Sequence, residues 1–131
     1  MIAVGDDPSS MTYLKSKISS AKKVGITVDP VYLPSSVDTE YLCELIDDWN
    51  GDSGVQGIMI ERPLPAGLDE YRVVEHISPW KDVDGAHPVN MGKLLLGMEG
   101  IVPATPLAVY CLLVESGVEL CGRKVVVLGR S

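Results

Sequence analysis

The sequence predicts a three-layer α/β domain built on a mainly parallel sheet. The first sign is order: apolar, β-branched runs alternate with longer helix-forming stretches as strand, helix, strand, helix, strand. The second is the texture of residues 55–60 and 125–128, which are almost unbroken in apolar side chains. Strands read this way when helices cover both faces of a parallel sheet.

Residues 1–4 read as a buried strand ended by the turn Gly5-Asp6-Asp7-Pro8. Ser9 or Ser10 can cap the next helix through a side-chain oxygen. That helix runs to about residue 24 and stops at Gly25. Residues 26–33 form a second strand, ended by Pro34. A second helix covers about 37–49, with Asp38 as its candidate cap, and 50–54 are turn-forming. Residues 55–60 make the third strand, stopped by Pro63-Leu64-Pro65. A helix follows over 69–77. Residues 78–105 are rich in Pro, Gly, Asp and Asn, with one short helical stretch near Lys93. A loop this long in a compact domain is functional or disordered, and its apolar residues disfavour disorder. A helix over about 107–115, opened by Pro106 and stopped near Gly117, leads to a last buried strand at 124–128. Such a strand should feed a loop and a helix, yet the sequence stops at Gly129-Arg130-Ser131; its start is equally abrupt. Both ends read as truncations of the working protein.

Hydrophobic residues make up 46% of the 131 positions, enough for a real core. The formal net charge is −7 and no basic stripe occurs, which argues against nucleic acid and anionic membranes as partners. The cysteines are Cys43, Cys111 and Cys121, an odd count without a CxxC pair, which favours reduced thiols in a cytoplasmic protein over a disulfide scaffold. His76 and His87 have no Cys or His at metal-ligand spacing, so no metal is expected. No apolar run approaches the roughly 20 residues of a membrane span, and no secretory leader is recognisable.

Several residue groups carry possible chemistry. Tyr13 and Lys17 are four apart on the first helix and share a face. A ring beside an amine could stack on a flat heterocycle and move a proton next to it; the plainer alternative is a half-exposed Tyr and a solvated Lys. Glu61 and Arg62 follow the third strand, where ligands of open α/β sheets bind, or else form an ion pair with each other. If Glu61 lies against Lys17, its carboxylate favours the charged amine, unless Arg62 neutralises it. Asp84, in Lys81-Asp82-Val83-Asp84-Gly85, could accept hydrogen bonds from an amino-substituted ring, since an ionised carboxylate only accepts; otherwise this is a solvated acidic turn. His87, before Pro88, fits a structural role better than a catalytic one. Gly129 would let the backbone approach a phosphate, and Arg130 can fork onto one. Three residues make a weak motif, and GxGxxG is absent.

The order and spacing of these pieces are more specific than any one of them. Val4-Gly5-Asp6-Asp7-Pro8 with Ser10, Tyr13 and Lys17 resembles the opening signature of the methylenetetrahydrofolate dehydrogenase/cyclohydrolase family. Gly57-Ile58-Met59-Ile60 leading into Pro63-Leu64-Pro65 resembles its second signature. Lys81-Asp82-Val83-Asp84-Gly85, His87-Pro88, Asn90 and Gly92 resemble its third. Pro103, Thr105 and Pro106 resemble its PCTP segment, and residues 125–131 the strand and GRS turn that open its cofactor domain.

The resemblance implies oxidation of methylenetetrahydrofolate to the methenyl form with NADP (or NAD), then hydrolysis to formyltetrahydrofolate, in a homodimer. It implies a folate-binding catalytic domain over 1–105, then over 106–131 a connecting helix and the first strand of a Rossmann-like NAD(P) domain. Tyr13, Lys17 and Glu61 fall at catalytic positions. Tyr13, Lys17, Ile60, Arg62, Pro63 and Asp84 fall at folate-binding ones, and Thr105, Gly129, Arg130 and Ser131 at the NADP site. Three residues depart from the pattern: Glu61 stands for the usual Gln, Arg62 for Leu, and Ala104 for the Cys of PCTP. Glu61 raises the alternative of a non-catalytic or dehydrogenase-only relative that binds folate.

Overall fold

The computed structural model describes residues 1–129. Its elements run β1 (Ile2–Val4), α1 (Pro8–Lys23), β2 (Val31–Leu33), α2 (Thr39–Gly51), α3 (Glu70–His76), α4 (Pro88–Leu95) and α5 (Ala104–Glu115). β1 and β2 pair in parallel with Ile2 opposite Val31 and Val4 opposite Leu33, so the expected parallel α/β architecture is present.

The third strand is realised differently. Ile60 bridges to Ile2 and Ile58 bridges to Asp82, both in parallel. The Ile2 N–H donates to the Met59 carbonyl at 2.8 Å, the Glu61 N–H to the Ile2 carbonyl at 2.8 Å, and the Ile58 N–H to the Lys81 carbonyl at 2.6 Å. This stretch therefore changes partner within three residues. No run is long enough to form a ladder, although the parallel sheet continues through it from β2 and β1 towards residue 82.

Helix ends explain other differences in length. The α1 cap is Asp7, whose Oδ2 accepts from the Ser10 N–H at 2.8 Å; Ser9 and Ser10 lie inside the helix. At the other end, the Gly25 N–H donates to the Lys22 carbonyl and the Ile26 N–H to the Ala21 carbonyl. With Gly25 at φ +79, this is the paired closure of a Schellman motif. Ile26 is thereby consumed by the helix end, so β2 starts at Val31 rather than 26. Asp38 caps α2 as expected, its Oδ1 accepting from the Tyr41 N–H at 2.8 Å. Lys81 closes the far end of α2, its Nζ donating to the Trp49 and Asp52 carbonyls at 2.8 and 2.7 Å. A cation is favourable at that end of the helix dipole.

α2 buries Leu42, Cys43 and Ile46. With Ile2, Ile58, Ile60, Val73 and Ile77 they form one core between the sheet and the α2–α3 pair. α5 opens at Ala104, not 107, and buries no residue. The last expected strand, 124–128, has no ladder: Val125 and Leu128 are 72% and 93% exposed, and no described residue supplies the edge that a strand needs. Among the described residues, no helix is long and apolar enough to cross a membrane.

Candidate active site

The site grows from the carboxyl edge of the parallel strands, where open α/β sheets place their ligands. Along 58–61 the strand period of two decides which side chains face where. Ile58 and Ile60 enter the core, while Met59 turns to the other face and reaches Lys17. Lys17 Nζ donates to Glu61 Oε2 at 2.9 Å and Oε1 at 3.2 Å, and lies 3.8 Å from Met59 Sδ. Tyr13, one turn earlier on α1, presents its ring 4.5 Å from the same ammonium, within cation–π range. The Glu61 side chain is 5% exposed and that of Lys17 28%. Tyr13 is 59% exposed, so its ring stays accessible beside the pair. Met59 is a site residue that no motif singles out; its alternation against Ile58 and Ile60 is the signal that marks it.

Glu61 and Arg62 do not pair with each other. Arg62 reaches the other way, 3.5 Å from Glu70 on α3 and 3.5 Å from Asp84. Arg62 and Asp84 thus meet on one side and Tyr13, Lys17 and Glu61 on the other. Ile60 belongs to the core, so only its backbone is positioned to meet a ligand. Pro63 follows Arg62 through a cis peptide bond.

Asp84 is held by a loop whose anchor is Asp82, a residue not singled out from the sequence. Asp82 is 1% exposed and accepts from the N–H groups of Ala86 and His87 and from Asn90 Nδ2, at 3.1, 2.9 and 2.9 Å. Asn90 also donates to the Pro79 carbonyl at 2.9 Å. A buried carboxylate with three donors is a satisfied structural group. His87 is structural too: its Nδ1 accepts from the Val89 N–H at 3.0 Å and caps α4. Gly85, at φ +69, leaves no room for a side chain, since a Cβ there would meet the Pro103 nitrogen at 2.6 Å. That close approach ties the Asp84 loop to the start of α5, where the Ala104 N–H donates to the Asp84 carbonyl at 3.3 Å.

Thr105 lies in the first turn of α5. Gly129 has φ +146 and open space around it, a backbone suited to close approach by a ligand. No hydrogen bond joins Thr105 and Gly129 among the described residues. Arg130 and Ser131 lie outside the described residues.

These features define an α/β protein whose candidate site lies at the carboxyl edge of a parallel sheet, with an ammonium–carboxylate pair beside an accessible aromatic ring. Residues 1–84 match the tetrahydrofolate dehydrogenase/cyclohydrolase catalytic domain, and the chain belongs to that family. It is 47% identical over 130 residues to the bifunctional protein FolD of Heliobacterium modesticaldum, an alignment covering 99% of this chain and 45% of that protein. The FolD of Bacillus pumilus is 44% identical, with 100% and 46% covered. The chain therefore spans about half the length of the curated relatives it matches. Among solved structures, it resembles Trypanosoma brucei N5,N10-methylenetetrahydrofolate dehydrogenase-cyclohydrolase (FolD), complexed with NADP cofactor and inhibitor, at a TM-score of 0.93 and 38% identity, covering 99% of this chain and 44% of that one. The bifunctional FolD of Campylobacter jejuni gives a TM-score of 0.85 at 41% identity, with 88% and 42% covered.

Proposed function

We propose that the protein acts in one-carbon folate chemistry, oxidising methylenetetrahydrofolate to the methenyl form with NADP and hydrolysing that to formyltetrahydrofolate. The observation that carries this reading is the Tyr13–Lys17–Glu61 cluster at the carboxyl edge of the sheet, in a chain of this family. The accessible Tyr13 ring offers a stacking face for the flat part of a folate. Lys17 is the group that handles a proton beside it. Asp84 accepts from the amino-substituted pterin ring once Arg62 is displaced. An exposed ion pair of this kind is worth only about 0–1 kcal/mol, less than the roughly 1.5–3 kcal/mol of a charge-assisted hydrogen bond, so displacement is favourable.

One observation supports an NADP site at the end of the chain. Gly129 has the open, glycine-type backbone that phosphate approach needs, and Thr105, Arg130 and Ser131 would complete the contacts. When bound, the nicotinamide supplies the hydride acceptor. We place the folate domain at 1–105 and the beginning of a cofactor domain at 106–131, and take the working form as a cytoplasmic homodimer.

The test is calorimetry of a folate ligand against the protein at its native length, parent and Asp84→Ala. Losing this acceptor should raise the folate dissociation constant about ten- to a hundredfold and leave NADP affinity unchanged. Equal folate affinity would return Asp84 to a solvated turn. Absence of methenyl absorbance with methylenetetrahydrofolate and NADP would sink the reading as a whole.

A further inference from the structure

Arg62 and Arg72 hold their carboxylates differently. Arg72 is committed: its Nη2 lies 2.6 Å from Glu40 Oε2. Arg62 is shared. Its Nη1 lies 3.5 Å from Glu70 Oε1 and its Nη2 3.5 Å from Asp84 Oδ2. Charged hydrogen bonds of this kind close at about 2.7–2.9 Å, so both contacts sit at their outer limit and neither carboxylate holds the guanidinium fully. The backbones around it are fixed. The Glu61 N–H donates to the Ile2 carbonyl at 2.8 Å, and the Asp84 carbonyl accepts from the Ala104 N–H at 3.3 Å. Glu70 opens α3 directly behind its Asp69 cap. What is left free to move is the partly exposed Arg62 side chain, between two acceptors in set positions.

We propose that Arg62 is a positioning residue with two stations. In the empty site it covers Asp84 and competes with any ligand for that carboxylate. When the amino group of a ligand ring takes Asp84, Arg62 withdraws to Glu70, which keeps the guanidinium paired. Affinity for the ring is then set by a competitor built into the chain and by the counterweight on α3. This rests on the folate reading for the identity of the ligand, while the sharing of Arg62 can be tested without it.

The experiment is calorimetry of tetrahydrofolate against the protein at native length. Exposed pairs are weak, so the effects are modest but opposite in sign. Arg62→Leu should lower the dissociation constant about two- to fivefold, and Glu70→Gln should raise it by a similar factor. Arg62→Gln, which keeps a polar side chain without the charge, should tighten binding as Leu does. The double variant Arg62→Leu/Glu70→Gln should match Arg62→Leu, because Glu70 acts only through Arg62. Salt screens exposed charges, so the gap between parent and Arg62→Leu should narrow as ionic strength rises. Unchanged or weaker binding in both Arg62 variants, or a Glu70→Gln effect that survives in the double variant, would overturn the proposal. A second measurement needs no ligand. The NMR signal of the Arg62 Nε–H should move in Asp84→Asn and also in Glu70→Gln; a response to only one of them would show that Arg62 is not shared. Both responses in a parent that fails to bind tetrahydrofolate would count against the folate reading alone.

Discussion

At the scale of single residues, burial decides which groups react and which substitutions are clean. Under the proposed function Lys17→Met is the obvious probe of the lysine, since removing general acid–base assistance costs typically about 100- to 10,000-fold in rate. In this protein it also leaves Glu61 buried without its partner, and breaking one side of such a pair is strongly destabilising. The loss would then mix chemistry with unfolding, and the double variant Lys17→Met/Glu61→Gln, which removes the stranded charge, separates them. The cysteines give a simpler case. Cys43 is 2% exposed in the core, and desolvation pushes its thiol pKa above the usual value, outweighing the opposing pull of Arg72. Cys111 and Cys121 are exposed. A thiol reagent should therefore modify two cysteines quickly in the folded chain and the third only after denaturant is added. Three fast reactions would show that the α2 core opens readily.

At the scale of elements, the order of helices and strands was legible in the sequence, while caps and strand lengths were so only in part. Asp38 caps α2 as expected, and Asp69, read as the first residue of its helix, instead caps α3. Asp7 displaced the expected serines at α1 because Pro8 takes the first helical position and leaves the preceding residue as cap. The Asp7 carboxyl is held below its ordinary value of 3.8, chiefly by the Ser10 backbone N–H and next by the Ser10 hydroxyl. Its folded value is lower than its unfolded one, so its contribution is fully present above the ordinary value and is lost as pH falls through the folded one. Acid titration should release the Ser10 amide from its cap below pH 3.8 while the α2 core persists; a Ser10 amide signal flat across that range would contradict the cap. Gly85 tests the site loop. A side chain there faces both φ +69 and a backbone contact at 2.6 Å, and a left-handed non-glycine residue alone costs on the order of 1–3 kcal/mol. Gly85→Ala should lower the melting temperature and loosen Asp84; Gly25→Ala, with open space around it, should lower it less. Equal losses would mean that the Pro103 contact is unimportant. The carboxyl-edge position of Glu61 and the shared face of Tyr13 and Lys17 were readable from order and helical spacing. The Glu61–Lys17 pairing could be raised from the sequence only as an alternative to neutralisation by Arg62, and Met59 and the Asp82 anchor were not read at all, because each depends on contacts between segments far apart in sequence.

For the whole molecule, stability is concentrated in the first 90 residues. The core joins β1, the 58–60 stretch, α2 and α3. α4 is pinned through Asn90 to Asp82 and the Pro79 carbonyl. α5 is tied to the Asp84 loop at its first residue but buries no side chain. Its apolar residues run around the whole helix instead of along one stripe, a pattern that belongs to buried helices, yet Tyr110 and Leu112 are 57% and 71% exposed. Periodicity alone could not reveal this, since an all-round apolar helix looks the same in sequence whether or not something covers it. Local opening energies follow buried contacts, which fixes the expected hydrogen-exchange pattern. Amides at Leu42, Cys43 and Ile46 should exchange near the rate of global unfolding, and those from Leu107 to Val114 orders of magnitude faster. The same helix should bind a hydrophobic dye, as large exposed apolar surface does, and Leu112→Lys should weaken dye binding without changing the protection of α2. Slow exchange across α5 in the isolated chain would mean that its apolar surface is covered in solution, and the division into a stable α2–α3 core and a loosely held C-terminal helix would fail.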